Sequence, residues 1–249
     1  MNDTSVPTPP LVGAVDIRER RAWHVNGFLG LLIALVLGGL GATSLQQAAS
    51  RSGTTLDKVG LAGSIGATEI GLIVLAVLCL IVAVSLIAAT TVIQPGQTRV
   101  VQLFGRYVGT ARTTGLVTLL PWTSRRTVTV RVNNFDTPRL KVNDAAGNPV
   151  EIAAIVVWQV ADTAKSTFAV ENTMGFVQVQ AEAAVRHVAR SYPYDGAEGS
   201  ESLRGSTDVI SSELAREVAE RVVAAGVQIL EVRISHLAYA PEIAQAMLQ

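Results

Sequence analysis

The sequence predicts an α+β fold carried behind a two-helix transmembrane hairpin. Three observations lead there. The 249-residue chain is 49% hydrophobic and only 16% charged, with a mean hydropathy of +0.38, too apolar for an ordinary soluble domain. Its N-terminal part holds two uncharged runs, each long enough for a helix to cross roughly 30 Å of hydrocarbon. Behind them, strand-type segments of period two give way to segments of helical period, and nothing repeats at a fixed interval.

Residues 1–26, with TSVPTPP near the start, read as a disordered cytoplasmic tail. No charge falls between Ala22 and Ser50, and residues 27–45 form the first span. A signal peptide is the competing reading, but a small-residue cleavage site is lacking and the second span would still anchor the chain. Residues 46–69, rich in Gly, Ser and Thr, read as an extracytoplasmic loop, and residues 70–93, nearly all Leu, Ile, Val and Ala, as the second span. Arg18, Arg20 and Arg21 precede the hairpin and Arg99, Arg106 and Arg112 follow it, against Arg51 and Lys58 between the spans. Basic residues resist translocation, so a plasma-membrane hairpin with both ends in the cytoplasm is expected, with Trp23 at headgroup depth beside His24.

Gly30, Ala34, Gly38 and Ala42 recur every fourth residue and predict a smooth stripe for close helix packing. Ala76, Cys79 and Ala83 supply a matching face on the second span, and packing within the hairpin or between protomers both remain open. Neither span carries an ionisable residue in its core, which weighs against transporters and proton relays.

Beyond the spans, residues 94–160 read as a basic, β-rich half and residues 161–240 as an acidic α/β half. Gln94 to Lys141 carries eight Lys/Arg against one acid, and Val142 to Gln249 seven against fourteen. Pro95-Gly96 signals a turn, RVVQLFG a strand, and a second turn is expected around Gly109. TVTVRVNNF places Val128, Val130 and Val132 on one face of a half-buried strand. DAAGNP between two β-like runs predicts a hairpin from Leu140 to Val160 with Val150, Ile152, Ala154, Val156 and Trp158 facing the core. Asp162 caps a short helix reaching Phe168, and Asn172 or Thr173 starts a longer one to Ser191. A third helix, Ser206 to Ala225, carries Ile210, Leu214, Val218 and Val222 at i,i+4 spacing and stops at Gly226, before the strand VQILEVRIS. Pro241 opens a last helix over residues 241–249, with Ile243 and Met247 on one face.

The blocks QPGQTRVVQLFGRYVGT, GLVTLLPW, RVNNFDTPRLKVNDAAGNPVEIAAIVVWQV, ARSYPYD and VRISHLAYAPEIAQAMLQ together resemble the stomatin/prohibitin/flotillin/HflK-HflC group, whose shared module is the SPFH or Band 7 domain. The resemblance spans Thr91 to Gln249. It implies a membrane-bound scaffold that assembles with its own copies into large rings or cages, encloses lipid patches, or regulates partners such as membrane proteases. The alternative function is a regulator of one membrane protease or channel acting in a small complex. Members continue past the YAPEIAQAML block into a long coiled-coil helix, so residues 241–249 read as the start of such a helix.

The uncharged stretch Leu116 to Trp122 lies between Arg112 and the Arg125/Arg126 pair. One reading has Leu116, Leu119 and Trp122 dip into an anionic leaflet steadied by Arg125 and Arg126; the other makes the leucines ordinary sheet core. Arg131 in the basic half and Glu213 and Glu217 in the acidic half are candidate contacts for head-to-tail assembly, with Ile243 and Met247 as apolar ones; equally, the charged groups read as solvated faces. His24, His187 and His236 show no ligand spacing, and Cys79 is a small apolar residue in a span. No phosphate-binding loop, dinucleotide fingerprint, nucleophile elbow or zinc motif occurs. A non-enzyme without cofactor, metal or nucleic-acid partner is therefore expected. Abundant Ala, Val and Arg with few Lys fits a bacterial source.

Overall fold

The computed structural model describes residues 17–58, 67–196 and 201–241. The chain divides into two compact units, Arg20–Thr127 and a second made of Val128–Gln249 with Met1–Glu19.

In the first unit, β1 (Val25–Asn26) runs into α1 (Gly27–Lys58), and α2 (Ala67–Ala89) runs into β2 (Thr90–Ile93). Strands β3 (Gln97–Leu103), β4 (Arg106–Ala111), β5 (Gly115–Thr118) and β6 (Thr123–Thr129) follow. Two three-stranded sheets result, ordered β1-β5-β2 and β4-β3-β6. Ala22, Ile93, Val101, Ala111, Val117 and Leu119 form the core between them.

Four expectations are corrected here. The first helix does not stop at Leu45 but continues to Lys58, still burying Ala48, so most of the expected loop is helical. The second helix stops at Ala89, because Thr90-Thr91-Val92-Ile93 is an unbroken run of β-branched residues that crowd a helix and suit a strand. The tail is ordered from residue 17: Ala22 N donates to Thr110 O at 3.0 Å, Thr110 N to Arg20 O at 2.7 Å, and Val25–Asn26 pairs with β5. The turn expected at Gly109 lies instead at Phe104-Gly105, both left-handed. Gly109 sits inside β4, where a Cβ would come within 2.7 Å of the Ala22 backbone.

The seam between α1 and α2 also differs from the four-residue stripe. On α1 it runs Ala34, Leu37, Gly41, Ser44 and Ala48, the same face continuing through Gly30 and Gly27 onto β5, and on α2 Glu69, Leu72, Ala76, Cys79, Ala83 and Leu86, all buried or half-buried. Alternating steps of three and four keep a seam facing its partner, whereas each step of four turns about 40° further round a helix of 3.6 residues per turn. Ala34, Ala76 and Ala83 are buried and Gly30 is buried against Thr118 of β5, but Ala42 is exposed and a Cβ on Gly38 would meet nothing within 4 Å.

The second unit holds β7 (Asn133–Asp136), β8 (Leu140–Asn143), β9 (Pro149–Val160), α3 (Thr163–Phe168), α4 (Thr173–Ser191), α5 (Thr207–Val222) and β10 (Val227–Tyr239). Strand β9 is central: β10 pairs along one side, β7 and β8 in tandem along the other, all antiparallel. Val150, Ile152, Ala154, Val156 and Trp158 face inward and pack with Val177, Ala181, Val185 and Val188 of α4 and Ile210, Leu214, Val218 and Val222 of α5. The expected hairpin and all three helices stand, with Asp162 accepting from Lys165 N and Asn172 from Gly175 N as caps. Gly226 takes the left-handed conformation, φ 68°, that ends the third helix. Val132 is exposed rather than continuing the Val128 face, because β6 ends at Thr129. The expected half-boundary at Val160 is not where the units part: β9 is tied to β10 and to the helices, and the division falls between Thr127 and Val128. Ile243 and Met247 lie outside the described residues.

Candidate membrane-proximal site

The first unit is held together at one strand. In β5, Thr118 lies opposite both Val25 and Thr90, and Val117 opposite both Asn26 and Thr91. The edge strands of this sheet are thus the direct continuations of the two apolar helices, with no residue between Asn26 and Gly27 or between Ala89 and Thr90. Thr90 Oγ1 donates to Leu86 O at 2.9 Å and lies 3.0 Å from Thr118 Oγ1. The start of α1 presses onto the same strand: a Cβ on Gly27 would lie 2.5 Å from Leu116 Cγ, and one on Gly30 2.2 Å from Thr118 Oγ1. Glycine is the residue that permits this approach.

The chain after β5 runs alongside the last turn of α2. Leu119 N donates to Ala89 O at 3.0 Å, and Arg125 Nη1 donates to Ala88 O at 3.2 Å. A guanidinium there satisfies an otherwise open carbonyl and opposes the negative end of the helix dipole. Arg99 Nη2 reaches Val92 O at 3.4 Å, and Arg125 Nε reaches Thr123 Oγ1 at 3.4 Å. The Arg125 guanidinium is held below the usual arginine value, first by burial and then by the charge of Arg99. From Thr90 to Thr127 the chain has five arginines and no acid.

Leu119 is a correction to the lipid-facing reading: it is 1% exposed, packed in the sheet core with Val117, because the strand must cover the inner face of the β3 and β4 sheet. Leu116 is half-buried. Trp122 does face outward, 75% exposed, at the turn between β5 and β6. Its φ of 57° is left-handed, a conformation costing on the order of 1 kcal/mol in a residue with a Cβ. Trp23 is 63% exposed beside β1, and Arg126 is exposed.

The two apolar helices cover Gly27–Ser50 and Ala67–Ala89, with mean hydropathies of 2.1 and 3.3. Only 17% and 11% of their most apolar windows is buried, so they are not core helices of a water-soluble fold. No sequence signal marks β1, which is two residues long; the signal for the splice after the second helix is the β-branched run Thr90–Ile93.

The assembly candidates in the second unit are partly engaged already. Glu213 and Glu220 pair with Arg216 at 2.6 and 2.7 Å, and Glu217 with Arg221 at 2.6 Å, along one helix. Arg131 is exposed at the turn before β7, where Asn133 Nδ2 donates to its carbonyl. A groove of about 510 Å³ between α5 and β10 contains Ser211, Ser212 and Asp208, but the Ser212 hydroxyl is spent on the Asp208 carbonyl and no histidine or lysine lines it.

A family model described as SPFH domain / Band 7 family matches residues 91–249. No curated protein matches the chain.

Proposed function

The chain belongs to the SPFH domain / Band 7 family, a family of membrane-associated scaffolds, and on that premise we propose that it is a multi-pass membrane anchor whose copies assemble side by side into rings or cages that organise lipid and partner proteins. One observation carries the reading. Both apolar helices end as strands of one sheet, so the first strand unit has no linker through which to swing relative to its bilayer helices. A spacer would give a tether; the splice gives a mount of fixed height and tilt. Copies seated alike meet edge to edge with little orientational entropy left to lose, which favours a closed assembly.

The same joint supports the topology. Because β1 and β2 flank β5, both ends of the helical hairpin lie on one side, as a two-span hairpin requires. Seven arginines of the first unit, Arg20, Arg21, Arg99, Arg106, Arg112, Arg125 and Arg126, lie outside the helices at that side, which favours the cytoplasm and an anionic leaflet. Electron microscopy of the full chain in lipid tests the proposal: closed rings are expected. Solitary copies, or a small complex with one protease or channel, would favour the regulator reading.

A further inference from the structure

We infer that Arg99, Arg125 and the exposed Trp122 beside them form a seat for the phosphate of one anionic phospholipid of the leaflet that the strands abut. The inference rests on the membrane-spanning reading of the two helices and adds to it a specific lipid position.

The depth follows from hydrogen bonds. Strand β5 runs antiparallel to β2, so moving from Gly115 to Thr118 leads back from Ile93 to Thr90. The next residues bond still further back, Leu119 to Ala89 and Arg125 to Ala88. The β5–β6 turn therefore stands beside the last turn of a helix whose outer face is bare Val84, Ile87 and neighbouring apolar residues, the level at which a spanning helix passes from hydrocarbon to headgroups. A tryptophan held outward at that level, against its own backbone preference, has an apolar ring for the acyl boundary and an indole N–H for the headgroup region.

The charges complete the seat. Arg99 of β3 and Arg125 of β6 stand on paired strands, are both half-buried, and make no ion pair among the described residues. What they hold are neutral acceptors, Val92 O, Ala88 O and Thr123 Oγ1, which anchor the guanidinium planes and leave their charge uncompensated. No carboxylate in the strand region can neutralise them, since Thr90 to Thr127 has none. Two fixed, planar, partly desolvated cations match a phosphodiester better than mobile lysines would. The pair faces lipid at headgroup depth, so the phosphate it meets there is that of a phospholipid.

The test is native mass spectrometry of the full chain, purified in detergent and equilibrated with equal amounts of phosphatidylglycerol and phosphatidylcholine. The wild type is expected to retain one phosphatidylglycerol per chain. With about 1 kcal/mol of surface attraction per arginine, the R99Q/R125Q variant should lose about thirty-fold of that preference. R99K/R125K, which keeps both charges, should recover part of it, and R20Q/R106Q, with the same net charge on arginines elsewhere in the unit, should retain it. Equal loss in R20Q/R106Q would overturn the seat in favour of a diffuse charged surface. Displacement of the lipid by equimolar inorganic phosphate would also overturn it, because the site would then be a plain anion site. Carbonate extraction of the wild type from membranes separates the premise from the proposal: a protein that stays in the pellet but shows no lipid preference sinks the seat alone, and one that is extracted sinks the spanning reading beneath it.

Discussion

Gly30 of the first apolar helix and Thr118 of β5 pack so closely that a Cβ on the glycine would lie 2.2 Å from the threonine Oγ1. This contact, with the Thr90–Thr118 hydroxyl pair at 3.0 Å, locks the helical hairpin onto the sheet that its own ends create. Gly30→Val is therefore expected to destabilise the first unit by about 1–3 kcal/mol, the usual range for overpacking. Gly30→Ala should be milder, and adding Thr118→Ala should return part of the loss, because the nearest clashing atom is then gone. Thermal unfolding in detergent across this double-mutant cycle measures the coupling.

The splice also predicts where proteases fail. Arg99 lies between Thr98 and Val100, both at 2% exposure or less, ten residues beyond the end of the second helix. Trypsin acting on sealed inverted vesicles should spare the Arg99–Val100 bond while cutting first in exposed segments such as the Arg204 region of the second unit. Rapid cleavage at Arg99 would mean that the helix-to-strand junction is loose.

In the second unit, Leu214 is fully buried between α5 and the sheet, whereas Val179 on α4 is 62% exposed. Leu214→Ala is expected to cost about 2–5 kcal/mol of unfolding free energy, and Val179→Ala to stay within about 0.5 kcal/mol. Chemical denaturation followed by circular dichroism distinguishes them.

Asp144 is a densely bonded carboxylate of the second unit. It accepts from Ala146 N, Asn148 N, Asn148 Nδ2 and Tyr194 N, tying the DAAGNP turn to the YPYD segment, where Tyr194 in turn stacks on Tyr239 with ring centroids 4.0 Å apart. Burial alone would raise its pKa, but these hydrogen bonds outweigh burial and hold it below the ordinary value of 3.8. A carboxylate lowered in the folded state stabilises the fold above pH of about 4, its unfolded value, and that contribution fades as pH falls through the lower folded value. Asp144→Ala should cost about 3 kcal/mol at neutral pH. The gap between wild type and variant should narrow in acid, as urea midpoints measured from pH 7 downward would show.

The second unit was the more legible in the sequence because its signals are local. The i,i+4 set Ile210, Leu214, Val218 and Val222, the caps at Asp162 and Asn172, and the alternation from Val150 to Trp158 each lie within one element, and each predicts the element observed. The first unit depends on pairings between distant segments. Thr118 finds Val25 and Thr90 across long separations, and nothing in VN or TTVI says which strand it will join. The β-branched run at Thr90–Ile93 fits an apolar span as well as a strand, since Thr, Val and Ile serve both states. Small residues are so plentiful on the first helix that two stripes are available, and only long-range contact selects between them: β5 packs on Gly27 and Gly30 and α2 on Gly41, while Gly38 meets nothing and Ala42 is exposed. Leu119 and Trp122, three residues apart in one apolar stretch, stand in opposite environments because Trp122 lies in a turn with left-handed backbone while Leu119 packs in the sheet core.

If charge complementarity between copies contributes to assembly, reversal at Arg125, Arg126 and Arg131 together should dissolve the assemblies or raise their salt sensitivity. Size-exclusion chromatography of the triple variant across ionic strength reads this out. Unchanged assemblies would assign closure to apolar contacts instead.

The most direct measurement is cryo-electron microscopy of the full chain reconstituted in lipid. Rigid seating predicts closed rings of repeated copies in which the β1-β5-β2 sheet sits at one constant height above the bilayer. Isolated copies, or strand units scattered in height and tilt over well-inserted helices, would contradict it.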